Sequence, residues 1–209
     1  MLVTSLRSPD QLRRFLKGGC AVICGGCREV FLPEAEITAL LAEVRSDLAG
    51  ITRADYLCED EWAAAWRDHS QPGISRAGAV VVFSCGVGVQ SVAALLPSLP
   101  VIPGCDTHYL NGFQGLTPQD ADCRQCGQCF LNLTGAVCPL TACAKGLLNG
   151  PCGGAKNGTC EVNPVLPCGW ERIWKRLSDA GKERFRSCEP QVRDYRKILA
   201  ELDRRKEQA

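Results

Sequence analysis

Apolar positions in the first half of the chain switch between a short β period and a helical one. Ser8-Pro9-Asp10 places a hydroxyl before a proline at the first helical position, and Gly18-Gly19 supplies a stop, which predicts a helix over 9–17. The brief apolar run Cys20-Ala21-Val22-Ile23 then predicts a buried strand opening into the turn Cys24-Gly25-Gly26-Cys27. From Pro33, apolar residues Ile37, Leu40, Leu41, Val44 and Leu48 recur at helical spacing until Gly50. A weaker strand over 51–57 precedes Cys58, and a helix is expected around Trp62 and Trp66, broken by Gln71-Pro72-Gly73.

The run Gly78-Ala79-Val80-Val81-Val82-Phe83 is the strongest strand signal, continuous and β-branched as in a parallel sheet covered on both faces. It ends at Ser84-Cys85, and a helix through Val92, Ala94, Leu95 and Leu96 leads to a short strand at Val101-Ile102 before Gly104-Cys105. Strands alternating with helices predict an α/β fold, with a small, mostly parallel, Rossmann- or flavodoxin-like sheet over residues 1–110. The turn-rich segment 111–122 reads as a linker. Residues 123–169 form a cysteine-rich metal-binding region, followed over 170–209 by helices at about Trp170–Leu177 and from Gln191 onward.

Composition narrows the function classes. With 24 basic and 23 acidic residues the formal charge is +1, so no general pull toward nucleic acid or an anionic membrane is expected. No apolar run of about eighteen residues occurs and the N-terminus lacks a signal-peptide core, which predicts a cytoplasmic protein without membrane contact. In that reducing compartment, fifteen cysteines are poor disulfide material and good metal ligands.

Ligands of open α/β sheets lie beyond the carboxyl ends of the strands. Cys24 and Cys27 follow the first predicted strand, Cys58 the second and Cys85 the third, so four distant thiols are candidates for one centre, a [4Fe–4S] cluster or a zinc ion. Cys105 is a spare candidate, and Cys20 is also undecided. Any one buried cysteine is by default a small hydrophobe; placement at successive strand ends argues otherwise. Gly86-Val87-Gly88, lacking a third glycine, is weak evidence for a phosphate loop.

Eight more cysteines crowd into 123–168: Cys123, Cys126, Cys129, Cys138, Cys143, Cys152, Cys160 and Cys168. By number they make two four-thiolate sites. The C-x-x-C-x-x-C run followed by Cys138-Pro139 has a bacterial-ferredoxin look, although Cys129 and Cys138 stand nine positions apart where that pattern has about four. The run favours iron–sulfur over zinc, the second site is open between them, and the pairing of the eight is open. Few periodic apolar residues are present, so order there is expected to depend on metal. His69, His108, Lys145 and Cys188 read as surface or ordinary residues, and Trp62 and Trp66 as packing residues.

The stretch CxxCGxCxLxLTGxxCPxxxCAKxLLNGPCGG, the trailing GTCEVNPxxPCGW, the segment SCGVGVQ and the Cys58-Glu59 pair resemble the methylenetetrahydrofolate reductase C-terminal domain family, which includes the MetV subunits of MetVF-type reductases. The resemblance implies an iron–sulfur subunit, with zinc in one C-terminal site as an option. It would relay electrons from a donor, either ferredoxin or a heterodisulfide-reductase-like or nicotinamide-oxidising module. The acceptor would be the FMN of a MetF-like TIM-barrel subunit, in the methyl branch of the Wood–Ljungdahl pathway. Relatives often carry a further cysteine after the first pair, where Phe31 stands here.

Three functions follow as expectations. An electron-transfer subunit of an oxidoreductase accounts for both thiol groups and for the lack of a nucleophile–base pair, P-loop or complete dinucleotide fingerprint. A structural zinc-bearing docking subunit is the alternative, and a self-sufficient enzyme is the weakest of the three for want of acid–base groups.

Overall fold

The structure, a computed structural model, describes residues 2–27, 30–108, 123, 126–194 and 196. The expected linker 111–122 and most of the expected helix from Gln191 onward lie outside the described residues; the first four residues of that helix, 191–194, are not helical.

The chain is α/β. Its main sheet has four parallel strands, β2 (Cys20–Gly25), β4 (Gly50–Asp55), β5 (Val80–Phe83) and β6 (Val101–Pro103), in the order β4-β2-β5-β6. Register pairs Cys20 with Gly50 on one side and with Val80 on the other. Both faces of the sheet are covered. Cys20, Val22, Val80 and Val82 pack with Trp66 of α3 (Asp60–Ile74) and Val89 and Val92 of α4 (Gly86–Leu95). Ala21, Ile23, Val81 and Phe83 pack with Leu12 and Leu16 of α1 (Pro9–Leu16) and Ile37, Leu40 and Leu41 of α2 (Glu34–Glu43). Full burial on both faces is why the Val80–Phe83 run is apolar throughout rather than alternating.

A second sheet was absent from the sequence reading. β1 (Leu2–Leu6) lies between β3 (Val30–Phe31), to which it runs parallel, and β7 (Cys105–His108), to which it runs antiparallel. β7 reads Cys-Asp-Thr-His, with no apolar signal, and its partner is a hundred positions away in sequence.

Two helix expectations change. The Pro33 helix ends at Glu43 and passes through a 3-10 turn at Arg45–Asp47, so Leu48 lies beyond it. The expected break at Gln71-Pro72-Gly73 does not end α3, which runs on to Ile74 because the Ser75 N–H and hydroxyl both donate to the Gln71 carbonyl, at 2.9 and 2.8 Å. Trp66 is core, its Nε1 donating to Thr52 Oγ1 at 2.9 Å. Trp62, expected to pack, is instead 54% exposed.

The cysteine-rich region carries one short helix, α5 (Pro139–Ala142), and is followed by α6 (Gly169–Arg176) and α7 (Asp179–Ser187), the last not anticipated. Leu131 and Ala136 join the α3–α4 side of the main core. Trp170, Ile173 and Leu177 build a small cluster of their own with Phe185 and Trp174, more apolar packing than the sequence suggested. Arg176 ties the region to the sheet, its Nε donating to the Gly135 carbonyl at 2.7 Å and its Nη2 to the Leu99 carbonyl at 3.3 Å. No helix among the described residues is long and apolar enough to cross a membrane.

Candidate metal centres

Strand order fixes the first site. The chain moves from β2 to β4 on one side and then to β5 on the other, so β2 is the switch point of the sheet, where the carboxyl ends leave a crevice. Cys24 and Cys27 from the end of β2, Cys58 from the loop after β4 and Cys85 from the end of β5 line one cavity of about 100 Å³ there. Glycines 25, 26 and 88 and the apolar side chains of Val30 and Leu32 complete most of its wall. Phe31 is not in that wall and is 54% exposed.

Three thiols of this cavity, Cys24, Cys58 and Cys85, are biased toward the neutral form. Burial pushes Cys24 up to about 12, with the neighbouring Cys85, Cys58 and Cys27 adding to the shift. Cys58 rises to about 11 by burial and the proximity of Cys85, and Cys85 is raised by burial. Opposing groups are built in: the Leu57 backbone N–H favours the Cys24 thiolate, and those of Gly88 and Val87 favour that of Cys85. Cys85 is the N-cap residue of α4, so its sulfur stands where the unpaired N–H groups and the helix dipole favour negative charge.

A second group stands across the start of α4. Cys126 and Cys129 both lie within electrostatic reach of Cys138, the N-cap residue of α5. Cys129 is pushed up to about 12 by burial, Asp106 adding to the shift and Arg7 opposing it. The backbone N–H of Cys138 donates to Gln90 Oε1 of α4 at 3.2 Å. Cys123 lies against Gly86, where a Cβ would come 3.0 Å from its Sγ.

The third group is Cys143, Cys152, Cys160 and Cys168, which together line a cavity of about 10 Å³ beside Trp170. Cys168 is the N-cap residue of α6, and the Gly154 N–H donates to Cys152 Sγ at 3.4 Å. Lys145 forms an ion pair with Glu161 at the rim of this cavity.

The candidate thiols thus fall into three groups, and the two C-terminal groups follow sequence order. As placed, no three His, Cys, Asp or Glu side chains among the described residues stand at the spacing of a single bound ion. Cys20 packs in the α3–α4 core and Cys105 in the α1–α2 core, and neither is in the lining of the first or the third cavity. On the surface, His69 Nδ1 donates to the Ala65 carbonyl at 2.7 Å, and Cys188 Sγ donates to the Phe185 carbonyl. Sequence reading missed Thr107, whose Oγ1 accepts the Gly86 N–H at 3.0 Å and holds the start of α4 between the first two groups.

Residues 102–196 match the family model described as methylene-tetrahydrofolate reductase C terminal. Over these residues the chain is similar to that family. The methylenetetrahydrofolate reductase C-terminal match contains the second and third cysteine groups and leaves the first, on β2, β4 and β5, outside it. Neither a curated protein nor a solved structure matches the chain.

Proposed function

We propose that the protein is an iron–sulfur electron-transfer subunit of a MetVF-type methylenetetrahydrofolate reductase, passing electrons between a donor protein and the FMN of a MetF-like catalytic subunit. The observation that carries this reading is the convergence of Cys24, Cys27, Cys58 and Cys85, from three strand ends, on one cavity. Four thiols without a nearby acid–base pair suit a redox cofactor better than a reaction on a substrate.

The cavity fits the group. About 100 Å³ between four cysteines is room for a cluster of several atoms, and the rest of its lining, glycines 25, 26 and 88 with Val30, Leu32, Glu34 and Ser84, holds no competing cation. When bound, a [4Fe–4S] cluster supplies reversible one-electron chemistry. Cys24, Cys27, Cys58 and Cys85 would hold it, the N–H groups at the start of α4 would stabilise negative charge on the Cys85 sulfur, and Val30 and Leu32 would limit water. Cys123, Cys126, Cys129 and Cys138 would hold a second cluster next to the first.

The Cys143, Cys152, Cys160 and Cys168 group closes around only about 10 Å³, room for roughly one water molecule. That volume favours a single zinc ion there, drawn in by small side-chain rotations, and gives the structural-zinc reading a place beside the clusters. The test is anaerobic purification with iron, acid-labile sulfide, zinc and flavin measured together. Brown protein with sulfide matching iron, a visible band bleached by dithionite, and about one zinc per chain is the expected result. Colourless protein carrying zinc alone would overturn the electron-transfer reading.

A further inference from the structure

Next to the first cavity the surface has an unusual composition. Tyr56 follows the last residue of β4 with φ of 50°, a left-handed conformation that is strained for a bulky non-glycine residue. Its ring packs on Gly26 of the Cys24–Cys27 turn, where a Cβ would approach Cε2 to 3.1 Å. Trp62 stands edge-on to Tyr56 with ring centroids 5.8 Å apart. Both rings are open to solvent, Tyr56 at 39% and Trp62 at 54%.

Cys58 stands between these two aromatics in sequence, and Gly26, on which the Tyr56 ring packs, is part of the cavity wall, so the ring pair lies next to the thiol cavity. Around it stand four exposed carboxylates, Asp55, Glu59, Asp60 and Glu61, and none forms an ion pair among the described residues. Among the described residues, Arg53 is engaged with Glu34 and Arg67 with Asp68. An exposed tryptophan and tyrosine inside an acidic rim is the anatomy of a protein contact centre, and its charge selects a basic partner.

We propose that the Tyr56–Trp62 face is the docking surface for the electron-donor protein, a partner that presents an apolar centre within a basic rim. This rests on the electron-transfer reading. The family match at 102–196 associates the C-terminal half with the reductase, whereas the aromatic face lies outside that match and beside the first cysteine group. The backbone strain at Tyr56 holds its ring over Gly26, which keeps the contact surface in place before a partner arrives. An acidic carrier is repelled by the same four carboxylates.

The test uses the anaerobically purified holoprotein with mitochondrial cytochrome c as a basic haem-protein probe and flavodoxin as an acidic one, binding being measured by calorimetry. Cytochrome c is expected to bind at low ionic strength, to weaken with added salt, and to lose about tenfold or more in affinity with Trp62→Ala. Tyr56→Gly, which accepts the left-handed backbone and removes the ring, and Glu61→Lys are expected to weaken binding too, while Glu183→Lys on α7 leaves it unchanged. Iron and sulfide contents of each variant show whether the centres are intact. Protein lacking iron and sulfide ends the electron-transfer reading and the docking proposal with it. Loaded variants that bind cytochrome c like the unaltered chain, or tighter binding of flavodoxin, would overturn the docking proposal alone.

Discussion

Gly86 and Cys123 touch across thirty-seven positions of sequence: a Cβ built on Gly86 would stand 3.0 Å from the Cys123 sulfur. The preceding residue, Cys85, lines the first cavity, so a single peptide unit at the start of α4 separates the first thiol group from the second. Two centres this close would exchange electrons without an intervening carrier.

Gly86→Ala therefore tests the second group without touching its ligands. The added methyl has to push Cys123 away, since the backbone at Gly86 is held by its N–H bond to Thr107. About four iron atoms per chain should be lost while zinc is retained, measured by metal analysis after anaerobic purification. Full iron content in this variant would show that Cys123 is not a ligand.

Single cysteine replacements should separate the centres by element. Cys58→Ser is expected to lower iron and sulfide and leave zinc in place, and Cys160→Ser to lose zinc and keep iron. Loss of the third centre should also destabilise α6, because Cys168 caps that helix, with a fall in thermal midpoint read by circular dichroism.

The metal-free, reduced chain should show a distinct pH dependence. Burial raises Cys24, Cys105 and Cys129 to about 12 and Cys58 to about 11, from an ordinary value of 9.0. The folded state thus keeps protons that the unfolded chain releases. Stability from this source is complete below pH 9.0 and is lost as pH climbs from there toward 12. Urea unfolding midpoints should fall across that window, and Cys24→Ser should flatten the fall.

Arg7 offers a test of the second centre's electrostatics. Its Nη1 donates to the Cys129 carbonyl at 3.4 Å and pairs with Asp106 Oδ1 at 3.4 Å. Arg7→Gln leaves the Asp106 charge unopposed beside Cys129 and should lower the midpoint potential of one iron centre, whereas Asp106→Asn should raise it, both read by potentiometric titration with paramagnetic resonance. Identical potentials in both variants would place the pair away from any cluster.

Much of the main sheet was written in local pattern. The Val80–Phe83 run and the Cys20–Ile23 run, each bounded by glycine or cysteine turns, identify parallel strands because burial on both faces demands continuous apolar side chains. The switch-point rule then placed Cys24, Cys27, Cys58 and Cys85 together, since strand ends in such a sheet converge whatever lies between them. Helix limits were less legible: the stop at Pro72 was offset by Ser75, a contact that no propensity describes.

The small sheet was invisible for a physical reason. β1 pairs with β7 through backbone hydrogen bonds, and β7 offers no apolar alternation to announce them. The same holds for the eight C-terminal cysteines. Spacing alone allowed many pairings. Only the packing of Leu131 and Ala136 against the α3–α4 core and of Trp170 and Ile173 within the last segment separates Cys126, Cys129 and Cys138 from Cys143, Cys152, Cys160 and Cys168.

The sequence by itself determined the α/β class, the strand ends that bear thiols and the family likeness of residues 102–196, because these depend on residue type and local order. Tertiary structure alone decided which thiols are neighbours, that Gly86 meets Cys123, and that Trp62 faces solvent while Trp66, four residues on, is buried. Such relations depend on the packing of distant segments, and no local pattern encodes them.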